Sequence, residues 1–487
     1  MESSNGQRKA VLFDAIDASE IGWRYKELAA SVMLGATLEF FDFYLIAFVV
    51  PEVSDEWGLT RAQETWILLS AGLGAIIGSI IWGKLGDRIG RKRPLIVGIC
   101  VFSIGTGLMA LAPEDGWWFL SFMRFIVGMG VGGVAAVAVP LLLEYTPTRL
   151  RSVLVGLITT AMIPIAILLA AVVSGIFIPI VGWRPLFAIG VIPVFLAFYV
   201  AKRVPESARW LADQGRVDEA RAVIADIVSL DVEAVPEDVP PPTVRGNGGF
   251  RELLSYPRSF WGSVLGWFGA ACVAGGIVLW GPTFVKEVLD VSTGTAALLF
   301  VAVTLGSFAG RLFFSLAPAR IGRRRAGMLM GFGAIPVLIL TGIAGDSGAA
   351  AGSLFVLGLV VAAFFSDGGY ANLVPYTSEV FPTHLRAQGM GAAQAVNGFG
   401  RIVGPLVLAI LVGTSGAADE AATTIESLSS GFFFLAGASL IIGLSFWLVA
   451  VEPHGKDLET LTAELQGAAP AGAISAPAPQ PSGSSAV

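Results

Sequence analysis

Apolar runs of about twenty residues recur along the chain, parted by short polar or charged breaks. Six lie near residues 28–50, 64–86, 94–112, 118–143, 152–178 and 184–202, and six more near 260–284, 295–317, 326–345, 351–377, 387–413 and 429–451. A hydrocarbon layer about 30 Å thick is crossed by about 20 helical residues rising 1.5 Å each, so every run predicts a membrane-spanning helix. This pattern divides the chain into five parts. Residues 1–27 form a polar N-terminal segment with a short helix, and 28–202 a first six-helix bundle. Residues 203–258 are a linker with short helices, 259–451 a second six-helix bundle, and 452–487 a tail whose Ala/Pro/Ser-rich end reads as disordered. The start, MESSNGQRKA, lacks the basic-then-apolar profile of a cleaved signal, so the first run is expected to stay in the membrane.

Composition agrees. Of 487 residues, 55% are hydrophobic and 14% charged, against about 25% charged in soluble domains. That leaves too little polar surface to cover the chain in water. The net charge of −6 is spread over loops and tails, and no basic face suited to nucleic acid is present. Cys100 and Cys272 both fall in apolar runs, which argues against a disulfide framework. His384 and His454 stand in loops away from any cysteine, so neither a metal site nor a cofactor is expected. Lysine and arginine concentrate on one side: Arg8, Lys9, Arg24, Lys26, the run Arg88–Arg93, Arg149, Arg151, Arg320–Arg325, Arg386 and the 203–258 linker. The other side keeps Arg61, Arg184 and Lys286. Positive residues stay inside, which puts both termini in the cytoplasm.

The two halves repeat each other. GKLGDRIGRKR at 83–93 returns as SLAPARIGRRR at 315–325, with Arg320 standing 232 positions after Arg88. Pro140-xxx-Glu144-xx-Pro147-xxx-Arg151 returns as Pro375-xxx-Glu379-xx-Pro382-xxx-Arg386, shifted by 235. Two motifs moved by nearly one distance indicate duplication. Six spans plus six in parallel repeat, with a site between them at mid-depth, is a transporter architecture.

Ionisable residues inside the spans are costly and usually line a pathway. Glu39 and Asp42 lie within the first run, and Arg124 lies about 10 Å from the outer end of the fourth. Asp42, about 13 Å from the outer end of its own helix by the same rise, stands at similar depth. An Asp42–Arg124 ion pair is expected, acting either as a proton-coupling device that weakens and reforms as the helices swing or as a static brace. Arg401 and Asp367 also lie near mid-depth. Arg401 either anchors a substrate carboxylate, which a guanidinium can engage bidentately, or pairs with Asp367. Arg311 is expected to partner the cytoplasmic loop. Tyr44, Phe41, Asn397, Gln394 and Trp280 are further candidates to line a cavity. Gly128-x-Gly130-x-Gly132-Gly133 follows no strand and reads as a helix-packing surface, and Pro140, Pro164 and Pro405 as bending points.

The loop GKLGDRIGRKR resembles the signature that the major facilitator superfamily carries between its second and third helices. PESARWL at 205–211 and EPHGKDLE at 452–459 resemble boxes that follow helices 6 and 12 in sugar porters and related organic-ion transporters. Glu39-Phe-Phe-Asp42-Phe-Tyr44 resembles the helix 1 element of metabolite:proton symporters. The resemblance implies an all-α integral membrane fold of twelve helices in two six-helix pseudo-repeats. It also implies a cytoplasmic charge gate built from Asp87, Arg88, Arg91, Glu144, Arg151, Glu206, Arg209, Arg320, Glu379 and Arg386, with Arg149 and Glu452 as further members. Asp87 is expected to latch that side by pairing with Arg88, Arg91 or a helix terminus. The second copy has Ala319 at the matching place, so its latch should be weaker. Sugar-porter relatives also face an acid on helix 1 with an arginine on helix 4. Their helix 7 glutamine pair is absent from residues 266–282.

These readings converge on a monomeric, multi-pass transporter of the plasma membrane, the bacterial inner membrane, that needs the bilayer and a small-molecule substrate. Symport of an organic or aromatic acid with a proton as coupling ion is the leading expectation. A sugar or polyol symporter, a drug or metabolite:proton antiporter, and a transport-incompetent sensor remain alternatives. No nucleophile–base set or metal-ligand cluster points to an enzyme.

Overall fold

The computed structural model describes residues 12–151, 161–238, 250–382, 385–413 and 428–453. Twelve helices among them are long and apolar enough to cross a membrane. In the first half these are α1 (Trp23–Trp57), α2 (Arg61–Ile89), α3 (Lys92–Met109), α4 (Trp117–Glu144), α5 (Ile163–Val181) and α6 (Arg184–Arg203). In the second half they are α7 (Pro257–Leu289), α8 (Thr293–Ile321), α9 (Arg323–Asp346), α10 (Gly348–Glu379), α11 (Arg386–Gly413) and α12 (Leu428–Val449). His384, His454 and the tail from residue 454 lie outside the described residues.

The described spans fall on the apolar runs, residues 152–160 of the fifth run lying outside the described residues; α1 is longer than expected and α6 and α10 are broken. α1 runs seven residues past the expected end, because Pro51 is carried inside the helix and the polar turn 52–57 continues it. It stops only at Gly58, whose φ of 60° takes the left-handed cap. α6 is broken between Ile189 and Pro193. α10 is broken at Asp367–Gly369, between Gly352–Ser366 and Tyr370–Glu379. Side-chain caps fix two starts: Thr60 and Gln63 form a capping box for α2, and Ser292 caps α8 through the Thr295 N–H. Pro164 stands in the first turn of α5, directly after the π-helical residues 161–162.

Within the first half α4 packs on α2 and α3; within the second, α7 packs on α11 and α12, and α9 on α12. The halves meet through α1 on α7, α5 on α8 and α2 on α11. One short connection, residues 58–60, makes α1 and α2 a tight hairpin, and this puts Arg61 at the same end of the bundle as Lys286.

Helices Ala208–Asp213 and Val217–Val228 lie outside the bundle beside the helix Asp14–Ala18. That N-terminal helix is strapped down. Asp17 accepts hydrogen bonds from the Thr148 N–H (2.6 Å) and hydroxyl (3.0 Å), and Arg149 donates to the Asp17 and Ser19 carbonyls. Partial burial works against the Asp17 charge, but the Thr148 hydrogen bonds and the nearby Arg151 and Arg149 outweigh it. Its carboxyl is held below the usual range.

Candidate functional site

Helix α1 brings Glu39 and Asp42 to one face, one turn apart, and both side chains are buried at 2% exposure. The Asp42 carboxyl accepts from the Thr106 hydroxyl at 2.7 Å through one oxygen. Its other oxygen has no hydrogen-bond partner, and neither has Oε1 of Glu39. Arg124, fully buried, reaches the same place from α4. The expected Asp42–Arg124 ion pair is not what forms. Arg124 donates instead to the backbone carbonyls of Asp42 (3.2 Å) and Phe43 (2.8 Å), and its guanidinium lies 5.6 Å from the Phe43 ring centre. Through these two bonds the cation steadies the α1 backbone, while its Nε is buried without a hydrogen-bond partner and the Asp42 carboxyl is left to Thr106. Sequence depth brought the two residues together; it did not reveal the acceptor.

In the second half the pairing is also rearranged. Asp367 pairs not with Arg401 but with Arg311. Arg311 engages Asp367 with two nitrogens, Nε at 3.0 Å and Nη2 at 2.9 Å, and the Ser307 hydroxyl donates to the same carboxylate. The break in α10 makes this possible. Gly310 and Gly368 bring α8 and α10 so close that a Cβ on either would run into the facing backbone. A cavity with about 10 Å³ of free space, lined by Ser307, Ser366 and Asp367 among others, has room for about one water here.

Arg401 is thereby left facing the first half. Its Nη1 donates to the Tyr44 hydroxyl at 3.0 Å, and the guanidinium lies 6.0 Å from the Tyr370 ring centre. No described carboxylate comes within ion-pair distance of it. Gln394, Asn397 and Arg401 fall on one face of α11, and Tyr370 from α10 joins them. The Tyr370 hydroxyl donates to Asn397 Oδ1 at 2.9 Å, and the Asn397 amide donates to Gln394 Oε1 at 3.2 Å. Tyr370, which the sequence reading passed over, thus completes a polar strip with Arg401. Trp280 is not a lining residue. It is 1% exposed, donates to the Pro405 carbonyl at 3.1 Å and stacks on Phe284, so packing and a helix carbonyl consume it. Phe41 is partly buried against the core.

At the basic end, each half builds the same clasp. Arg91 pairs with Glu144 at 2.7 Å, and Glu206 accepts from the N–H groups of Arg91 (2.6 Å) and Lys92 (3.0 Å). In the repeat, Arg323 pairs with Glu379 at 2.5 Å, and Glu452 accepts from the N–H groups of Arg323 and Arg324 at 2.9 Å each. The turns that present these N–H groups need Gly90 and Gly322, whose φ angles are 92° and 85°. The Glu206 and Glu452 carboxylates fill the spaces their Cβ atoms would take. The Asp87 latch is absent. Asp87 and Arg88 are exposed at the end of α2, and the Asp87 carbonyl, not its carboxylate, is engaged, by Trp210 at 3.2 Å. Arg320 is exposed, Arg209 lies over the Phe13 ring, Arg151 donates to the Thr146 carbonyl, and Nε of Arg386 is buried without a partner. Among the described residues no ion pair at this end joins the two halves.

The opposite end does join them. Arg61 on α2 donates to Glu64 of its own helix at 2.9 Å and to Glu287 of α7 at 2.5 Å. Lys286 on α7 pairs with Asp55 and donates to the Pro51 carbonyl of α1 at 2.7 Å. Arg61 also lies 5.6 Å from the Trp280 ring centre, and Phe48 of α1 meets Phe300 of α8 edge-on. The sequence flagged Arg61 and Lys286 only as exceptions to the charge bias.

Twelve helices in two six-helix halves, with a buried charged cluster at mid-depth in each and Arg401 reaching Tyr44 between them, have the architecture of a secondary transporter of the major facilitator type. Residues 28–465 match the model of the "Sugar (and other) transporter" family, and the chain belongs to that family. It is 30% identical to the niacin transporter NiaP of Acinetobacter baylyi over 92% of this chain and 99% of that protein. It is 28% identical to the 4-hydroxybenzoate transporter PcaK of the same organism, over 80% of this chain and 86% of that one. A solved inward-open structure of the Escherichia coli xylose transporter XylE matches with a TM-score of 0.70 and 19% identity, covering 90% of this chain and 99% of that one. The protein is a membrane transporter of small solutes and not an enzyme.

Proposed function

We propose that the protein is a proton-coupled symporter of a small aromatic or heteroaromatic monocarboxylate. In this reading it takes the acid up across a bacterial inner membrane by alternating access, with both termini and the basic end in the cytoplasm. One observation carries the substrate class: Arg401 meets a phenol and not a carboxylate, while the nearby acid Asp367 is spent on Arg311. A guanidinium held at mid-depth with a displaceable partner is suited to bind a carboxylate in two-pronged fashion. Niacin and 4-hydroxybenzoate, for which two relatives are named, are aromatic carboxylates. Asp42, with one bare oxygen, supplies the proton-carrying carboxyl, and Glu39 stands a turn away as its neighbour. One proton moving with one monoanion is electroneutral, so a pH gradient suffices to drive it.

A sugar reading has one observation in its favour: a D-xylose transporter of Levilactobacillus brevis is 28% identical. Transport in proteoliposomes separates the two. Under an inward pH gradient, radiolabelled nicotinate or 4-hydroxybenzoate should accumulate and xylose should not. Arg401→Gln should abolish acid uptake. Xylose accumulation that survives Arg401→Gln, with no acid uptake by the unaltered protein, would falsify the proposal.

A further inference from the structure

We propose that the Tyr44 hydroxyl is an internal stand-in for the substrate carboxylate: it takes over Arg401 when the acid leaves, so that the unloaded carrier can swing back. The inference rests on the reading of Arg401 as the acid's anchor.

The two residues belong to opposite halves and stand at similar depth. Tyr44 lies about 20 Å below the Trp57 end of α1, and Arg401 about 18 Å below the Gly413 end of α11, at 1.5 Å per residue. The Arg401 guanidinium is half-buried, and at mid-membrane depth a cation without an acceptor is disfavoured, so each stage of the cycle calls for one. Tyr44 offers one at 3.0 Å from across the interface.

Its hydroxyl is held ready. The ring is 6% exposed, stacks along Phe40 and meets Phe43 edge-on, with centroids 6.5 and 5.2 Å away. The Phe43 carbonyl is itself fixed by Arg124. A neutral phenol is a weaker acceptor than a carboxylate, whose hydrogen bonds to a guanidinium are charge-assisted on both sides. An arriving acid therefore displaces the phenol, and a departing acid gives the place back. A symporter's net uptake includes the return of the unloaded carrier, whereas exchange of one substrate molecule for another omits that step. Tyr44 is a positioning residue for the return.

Tyr44→Phe keeps the ring and its packing and removes only the acceptor. In proteoliposomes with radiolabelled nicotinate or 4-hydroxybenzoate, it should lower net uptake at least about tenfold relative to equilibrium exchange. The KM for exchange should fall, because a competitor for the guanidinium is gone. A higher exchange KM would make Tyr44 a direct substrate contact. Equal change in both modes in a monodisperse, thermally stable variant, or no change in either, would make it packing alone. Each of these overturns the inference while the Arg401 anchor stands. Failure of the anchor itself shows differently: the unaltered protein transports neither acid, or Arg401→Gln leaves acid exchange intact, and the inference falls with it.

Discussion

At the scale of single residues, function turns on which acceptor a buried cation chooses. Arg124 takes two backbone carbonyls and leaves the Asp42 carboxyl with Thr106 on one oxygen and nothing on the other. Asp42→Asn, which cannot carry the proton but keeps the size and an acceptor for Thr106, should abolish accumulation driven by a pH gradient. Substrate exchange in the same vesicles should persist. Arg311 makes the opposite choice and spends itself on Asp367. Arg311→Ala strands a buried carboxylate, a loss of about 3–5 kcal/mol for a buried pair cut on one side. Thermal unfolding in detergent should record it, and Arg311→Ala with Asp367→Asn should recover part of the loss.

Helices are the scale at which the sequence speaks most clearly. Runs of apolar residues long enough to cross a bilayer marked all twelve spans, and the shifted motifs at Arg88/Arg320 and Glu144/Glu379 marked the duplication. Partners were harder to read. Depth along a helix follows from counting residues, so Asp42 and Arg124 could be matched. Which way each side chain turns about its axis does not follow from counting, so the carbonyl acceptors, the Arg311–Asp367 pair and the role of Tyr370 went unread. The interruption of α10 at Asp367–Gly369 had a visible signal in Gly368-Gly369, adjacent glycines in an apolar run. Gly368→Ala would press a Cβ into the Phe364 carbonyl and the Gly310 backbone. Overpacking of this kind costs about 1–3 kcal/mol, and a lowered melting temperature should reveal it.

At the scale of the whole molecule, charge joins the halves at the Arg61 end, and at the basic end the ion pairs among the described residues stay within each half. The charges at the joined end should therefore set which side is open at rest. Lys286→Ala combined with Glu287→Gln removes both pairs that cross between α7 and the first half. A spin-label pair bridging the halves at that end should then report a longer distance than in the unaltered protein. An unchanged distance would mean that apolar contacts such as Phe48 on Phe300 hold the end shut by themselves.

The Arg61 contacts carry one more implication. Its guanidinium holds Glu64 on its own helix as well as Glu287 across the divide, and Glu287 has Lys286 beside it in sequence. When the halves part, Arg61 still has an opposite charge at home in Glu64. The cation is handed back to its own helix instead of being orphaned, which lowers the cost of undoing the fastening.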